Sequence, residues 1–144
     1  MSKETLEHID KVQERIVEVQ INLVRRSIDH DASKLESPEL EGYAELPKRL
    51  SELVYGSPEY MAVLQEPFIQ HHYQHNDHHP EHYENGINGM SLLSIMEMLA
   101  DWKAASERTK QGSIEKSLVH NAKRFNIDPQ LAAILENTVK ELGW

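Results

Sequence analysis

Cysteine is absent from the 144-residue chain, which removes disulfides, thiolate metal ligands and cysteine nucleophiles from consideration. Any metal site must be built from nitrogen and oxygen donors. Long apolar runs are absent as well. Nothing approaches the ~18 residues of a membrane span, and the opening Met-Ser-Lys-Glu lacks the apolar core of a signal peptide. Basic residues are few: 15 Lys and Arg stand against 24 Asp and Glu, a net charge of −9 with neutral histidines. A nucleic-acid polymer needs a basic surface and is not an expected partner. A small phosphorylated ligand is not excluded, because a bound metal neutralises its charge locally. The expectation is a cytoplasmic protein that engages neither membrane nor nucleic acid.

What the chain has in abundance is histidine. Six of its nine histidines fall between positions 71 and 83, as His71, His72, His75, His78, His79 and His82, with Asp77 and Glu81 among them. Neutral imidazole is the commonest ligand for zinc, copper, iron and nickel, and carboxylates join it in manganese and iron sites. A histidine-rich tract by itself is only compositional, and a solvated loop would satisfy it. Candidates for the remaining walls of a site lie elsewhere: His8, the pair His30-Asp31, and Asp101, a lone acid in an otherwise apolar helix.

The apolar spacing is helical throughout. Residues 3–30 carry Leu6, Ile9, Val12, Ile16, Val19, Leu23 and Ile28 at helical intervals, with neither Gly nor Pro. As one helix, this stretch holds His8 and His30 about 33 Å apart. A reversal near Val19–Asn22 would instead bring them level, and Asn22 is the one local residue that favours a turn. Ser37-Pro38-Glu39 reads as a helix start for a short helix through Tyr43. Pro47 opens another that carries Leu50, Leu53 and Val54 and stops at Gly56. Ser57-Pro58-Glu59 repeats the start signal, Pro67 kinks or restarts the helix, and His72 and His75 continue it. Ser91 caps a helix from Leu92 to about Lys110 with Leu92, Ile95, Met96, Leu99 and Trp102 as its core stripe. Glu97 and Asp101 stand four apart on it, a repulsive spacing unless a cation such as Lys103 or Arg108 is near. Ser113 opens a helix to Phe125, and Asp128-Pro129 opens the last, ended by Gly143. With no alternating strand pattern, repeat or linker, the expected class is all-α. The expectation is one domain over residues 1–144 with six or seven helices.

The ordered set of motifs resembles the HD superfamily of metal-dependent phosphohydrolases. His30-Asp31-Ala32-Ser33-Lys34 is similar to that family's His-Asp-x-Gly-Lys segment, with Ser33 in place of glycine. His78-His79-Pro80-Glu81 followed by Asn85-Gly86 resembles the double-histidine segment of its cyclic-dinucleotide phosphodiesterase branch. The run from Met98 to Ala105 is similar to the helix bearing the last ligand, and Arg108 falls where that branch often keeps an arginine. More closely, the chain resembles a group of small bacterial and phage proteins with this same set of motifs. The resemblance covers residues 5–110 and departs in two places. Gly-Tyr-Pro is missing after Gly86, and the histidine cluster follows His72 too closely for a helix-by-helix match to the larger phosphodiesterases. The C-terminal helices at 113–142 would pack on that part.

The resemblance implies an HD-like helical fold and one or two divalent transition metals (Mn, Fe, Co, Ni or Zn). The expected ligands are His8, His30, Asp31, His72, His79 and Asp101. His71, His75 and His82 are expected in solvent, and His120 is expected to be no ligand. Metal-bound water has a lowered pKa and supplies hydroxide near neutral pH. Lys34 and Arg108 would stabilise charge on the phosphoryl oxygens, and His78 would protonate the leaving oxygen. The expected substrate is a small phosphate ester, most naturally a nucleotide, and a homo-oligomer is possible. The alternatives are a di-iron oxygenase on a related helical scaffold and a non-enzymatic metal-binding module.

Overall fold

The computed structural model describes residues 2–53 and 57–144. Val54 and Gly56, expected near the end of the helix opened by Pro47, lie outside them. The described residues form seven α-helices and three short 3-10 turns, with no strand among them. The all-α class read from the apolar spacing is therefore correct. No helix is long and apolar enough to cross a membrane. The chain divides into two units, Met1–His30 and Asp31–Trp144, each described by itself.

The first unit is a single helix, α1 (Lys3–Asp29), 27 residues long and closed at His30. Ser2 caps its start, accepting the Thr5 amide at 3.2 Å. The alternative reversal near Val19–Asn22 does not occur. The Asn22 side chain donates back to the Glu18 carbonyl at 2.8 Å and stays within the helix instead of opening a turn. None of the 27 residues is buried.

The second unit begins with a 3-10 turn (Ala32–Leu35) and α2 (Glu39–Ser51). Here the proline signals mislead twice. Ser37 does not cap: the Ser37–Pro38 peptide is cis and Pro38 occupies the cap position. Pro47 does not divide the segment but sits inside α2. It removes one backbone donor, whereas Tyr43 and Leu46 before it and Leu50 after it all pack on the buried Val63, Phe68 and Ile69. One lost hydrogen bond does not outweigh that continuous apolar face. Gly42 permits the close approach, since a Cβ there would lie 2.3 Å from the Phe68 ring.

Helices α3 (Pro58–Val63) and α4 (Pro67–His75) start where their prolines indicate, and two 3-10 turns, Pro80–His82 and Gly86–Gly89, lead to α5. Ser91 caps α5 (Leu92–Ser106) as expected, but the helix stops short of Lys110, closing at Glu107 with a bond from its amide to the Ala104 carbonyl. Its buried stripe is Ile95, Met98 and Leu99, with Trp102 packed beside it, while Leu92 is exposed. Met98 takes the i+3 position that Met96, one residue off the stripe, was expected to share. Helices α6 (Ile114–Arg124) and α7 (Pro129–Leu142) add Ile114, Leu118, Leu135 and Val139 to that core. The second unit thus has two apolar clusters, one on α2–α4 and one on α5–α7, and the histidine segment runs between their helices in sequence.

Candidate metal centre

Asp31 is the first residue of the second unit and holds a left-handed backbone, φ 56°, a conformation that aspartate tolerates better than most residues. The Lys34 ammonium, one 3-10 turn later, pairs with its Oδ2 at 2.5 Å and lies over the Tyr43 ring, 4.6 Å from the centroid. Oδ1 is buried and faces histidines instead: His72 Nε2 at 3.4 Å and His78 Nε2 at 3.5 Å. His72 Nε2 in turn stands 2.9 Å from His79 Nε2. Asp31, His72, His78 and His79 each present one ligand atom such that all four lie within 4.8 Å of one another.

Two carboxylates hold two of these imidazoles from behind. Glu39, the first residue of α2 and 0 % exposed, accepts from His72 Nδ1 at 2.8 Å, from His71 Nδ1 at 2.7 Å and from Ser33 Oγ at 2.9 Å. Asn76, just past α4, donates to Ser33 Oγ at 2.7 Å and to the His72 carbonyl at 2.8 Å, tying the 3-10 turn to the end of α4. Glu97 on α5 lies 3.1 Å from His78 Nδ1. A carboxylate on Nδ1 fixes the imidazole tautomer so that Nε2 carries a lone pair, the arrangement typical of metal-bound histidine.

The protonation states agree with that orientation. Burial lowers the His72 pKa below its ordinary value despite the opposing pull of Glu39. Burial, then the proximity of His78 and His72, depresses that of His79 to about 2. Burial alone would raise Glu39, but the hydrogen bonds from His71, His72 and Ser33 bring it below the usual carboxylate range. Among the contacts of the carboxylates, Asp31 pairs with the Lys34 ammonium, Glu39 with His71 and His72, and Glu97 with His78. These carboxylates are no more than 19 % exposed at the side chain, and a buried carboxylate is costly unless it is paired or ligates a cation.

The geometry fits a metal ion. Bonds of roughly 2.0–2.2 Å at tetrahedral or octahedral angles separate adjacent ligand atoms by roughly 2.8–3.6 Å, and the three measured separations fall in that range. With Nδ1 of His72 donating to Glu39, its Nε2 lone pair is left to accept from His79 Nε2–H at 2.9 Å or to face a cation.

The expected site residues divide as follows. Asp31, His72, His78 and His79 come together. His8 lies on the continuous helix α1, about 33 Å along it from His30, so the two cannot ligate one ion within a chain. His30 closes α1 in the first unit. Asp101 is half-buried on α5 and is not among the four. Glu97, one helical turn before it, is the acid that reaches His78. Asp101 instead acts through space on the Tyr43 hydroxyl, as do Glu39 and Asp31. Burial first and these charges second hold that hydroxyl protonated far above the usual range. Lys34 is engaged with Asp31, and Arg108 is exposed in the turn after α5. His71, expected in solvent, is bound to Glu39, whereas His75 and His82 are exposed and bond backbone carbonyls. His120 is exposed on α6.

Sequence reasoning missed Glu39 and Asn76. It noticed Glu97 only as a repulsive neighbour of Asp101 awaiting a cation. Lys103 is not that cation, since it pairs with Glu107 at 2.9 Å. A signal for Glu97 existed, because an acid one residue from the buried Met98 needs a partner. None existed for Glu39, which reads as an ordinary acid in the first turn of a helix.

The chain belongs to a family of unknown function, DUF5662, which its residues 1–141 match. No curated protein and no solved structure matches it.

Proposed function

We propose that this member of DUF5662 is a metal-dependent hydrolase of small phosphate esters, with Asp31, His72, His78 and His79 as the ligands of a divalent transition metal. The observation that carries the reading is the convergence of three imidazole nitrogens and one carboxylate oxygen within 4.8 Å, backed by Glu39 and Glu97. Bound there, a divalent ion supplies Lewis acidity and a water acidic enough to give hydroxide near neutral pH. Glu39 and Glu97 keep His72 and His78 in the ligating tautomer. Lys34 holds one Asp31 oxygen and leaves the other to the centre, and its ammonium is a cation beside the centre for an anionic substrate. Tyr43, kept protonated, donates a hydrogen bond to a substrate oxygen. The net charge of −9 favours a small anion over a polymer. These roles agree with the resemblance to HD phosphohydrolases in Asp31 and the double histidine. They differ from it in leaving His8, His30 and Asp101 out of the ligand set, in making His78 a ligand instead of a proton donor, and in placing Arg108 outside the chemistry.

Coordination number decides between this reading and the non-enzymatic one. Four protein ligands close a tetrahedral zinc site, which is the structural pattern, whereas six-coordinate manganese, iron, cobalt or nickel keeps two positions for water and substrate. The test is metal analysis of protein purified without a histidine tag, followed by a screen of nucleoside mono-, di- and triphosphates with manganese, cobalt, nickel and zinc. Phosphate release that is lost in Asp31→Ala, with helical content retained, supports the hydrolase. No release from any substrate, together with one tightly held tetrahedral zinc, replaces it with a structural metal module.

A further inference from the structure

His71 and His75 stand four apart on α4, on one face of the helix, and their rings stack with centroids 3.9 Å apart and planes 22° from parallel. Each Nδ1 meets an oxygen that can only accept. That of His71 lies 2.7 Å from Glu39 Oε1, and that of His75 lies 2.8 Å from the His71 carbonyl oxygen. Both Nδ1 atoms therefore donate, and each neutral ring keeps its lone pair at Nε2. Neither Nε2 has a hydrogen-bond partner among the described residues. A carboxylate or backbone carbonyl on Nδ1 is the support that metal-bound histidine has, and two histidines four apart on a helix are a known pair of metal ligands.

Glu39 distinguishes this pair from two surface side chains that happen to be neighbours. It is 0 % exposed, and its other oxygen, Oε2, takes His72 Nδ1 at 2.8 Å. One buried carboxylate thus supports two successive imidazoles, His72 for the centre with Asp31 and His71 beside His75. The His71 side chain is 33 % exposed and His75 is exposed, so an ion on this pair is open to solvent.

We propose that His71 and His75 form a second metal site, a two-imidazole chelate for a divalent cation of the nickel and copper class. Imidazole suits both ions, and both accept a tetragonal set of nitrogen and oxygen donors in which water fills the remaining positions. Ligation widens the 22° between the rings until the two Nε2 lone pairs converge, a tilt that the exposed His75 ring is placed to make. With two protein ligands against the four of the centre, this site is the weaker and exchanges its ion with solvent. It shares no ligand with the centre and stands or falls without it.

Equilibrium dialysis of the untagged full chain against nickel(II) is the test. His75→Ala, at an exposed position, should hold one nickel ion fewer per chain than wild type. Asp31→Ala should keep the ion of the pair and lose it when His75→Ala is added. Glu39→Gln turns an amide nitrogen toward His71 and removes the acceptor that keeps its proton on Nδ1. Added to Asp31→Ala, it should weaken the remaining ion about 10–100-fold. Equal nickel in wild type and His75→Ala overturns the proposal, and so does a folded Asp31→Ala that binds none. An ion that needs His75 but is indifferent to Glu39→Gln is an adventitious chelate only, which overturns a built site as well. Equal nickel in wild type and Asp31→Ala, with an ion lost from each on adding His75→Ala, supports the pair and removes Asp31 from the centre instead. Should the Asp31 variants misfold, the comparison of wild type with His75→Ala still decides.

Discussion

Glu39→Gln is the substitution that most sharply separates a metal centre from an inert polar cluster. It preserves the shape of a fully buried side chain and removes its charge. The native carboxylate is acceptor-only and takes three donors: Ser33 Oγ, His71 Nδ1 and His72 Nδ1. An amide offers one oxygen. Placed where Ser33 and His72 donate, that oxygen keeps two bonds, now neutral instead of charge-assisted. The amide nitrogen then faces His71, whose bond is lost. Charge-assisted bonds exceed neutral ones by about 1 kcal/mol each, and a lost bond costs about as much, so the metal-free protein should lose about 2–3 kcal/mol. For a chain of this size that is a fall in Tm on the order of 10 °C. Metal affinity should fall about 10–100-fold, since a neutral amide behind His72 keeps the tautomer but no longer raises the basicity of its Nε2 as a carboxylate does. Competition against a chromophoric chelator with cobalt or zinc measures the affinity. His71→Ala is the control: it removes a donor to Glu39 but leaves the His72 bond, and should weaken binding less than about threefold. If Glu39→Gln binds metal as tightly as wild type, or if His71→Ala weakens it equally, Glu39 does not support a ligand and the reasoning fails.

The metal-free protein should also lose stability in mild acid. His72 and His79 are held below the ordinary imidazole value of 6.5, so the unfolded chain takes up their protons first. Their contribution is present above that pH and lost as the pH falls below it, about 1 kcal/mol from His79 between pH 6.5 and 5.5, with His72 acting in the same direction. Urea melts of chelator-treated protein that are flat across this interval would refute the assignment. Gly42→Ala, which on helix propensity alone would stabilise α2 by up to about 1 kcal/mol, should instead lower Tm. The new Cβ would sit 2.3 Å from the buried Phe68 ring, and overpacking costs about 1–3 kcal/mol. A raised Tm would show that α2 and α4 are not in the contact described.

How far the sequence reveals this molecule depends on the range of the interaction that fixes each feature. Helix starts at Ser57, Ser91, Ser113 and Asp128 are written within four residues, because the capping oxygen and the amide it serves are neighbours in the chain. They are legible for that reason. Pro47 misleads because its local cost is outweighed by Tyr43 and Leu50 packing on Phe68, residues that α4 delivers from beyond the next helix. The site follows the same division. Asp31, His72, His78 and His79 stand out by residue type, as candidates to hold or serve a metal, but type alone puts His8, His30 and Asp101 forward equally. Glu39 demands nothing locally: its partners His71 and His72 lie 32 and 33 residues away. Glu97 likewise answers to His78 across a loop and two 3-10 turns, while Asp101, one turn later, carries the more familiar motif. A carboxylate that holds a ligand need only arrive at the right Nδ1, from whatever element the fold brings there. Residue type therefore marks the candidate donors of a centre such as this one, and only the packing of α2, α4 and α5 marks the groups that aim them.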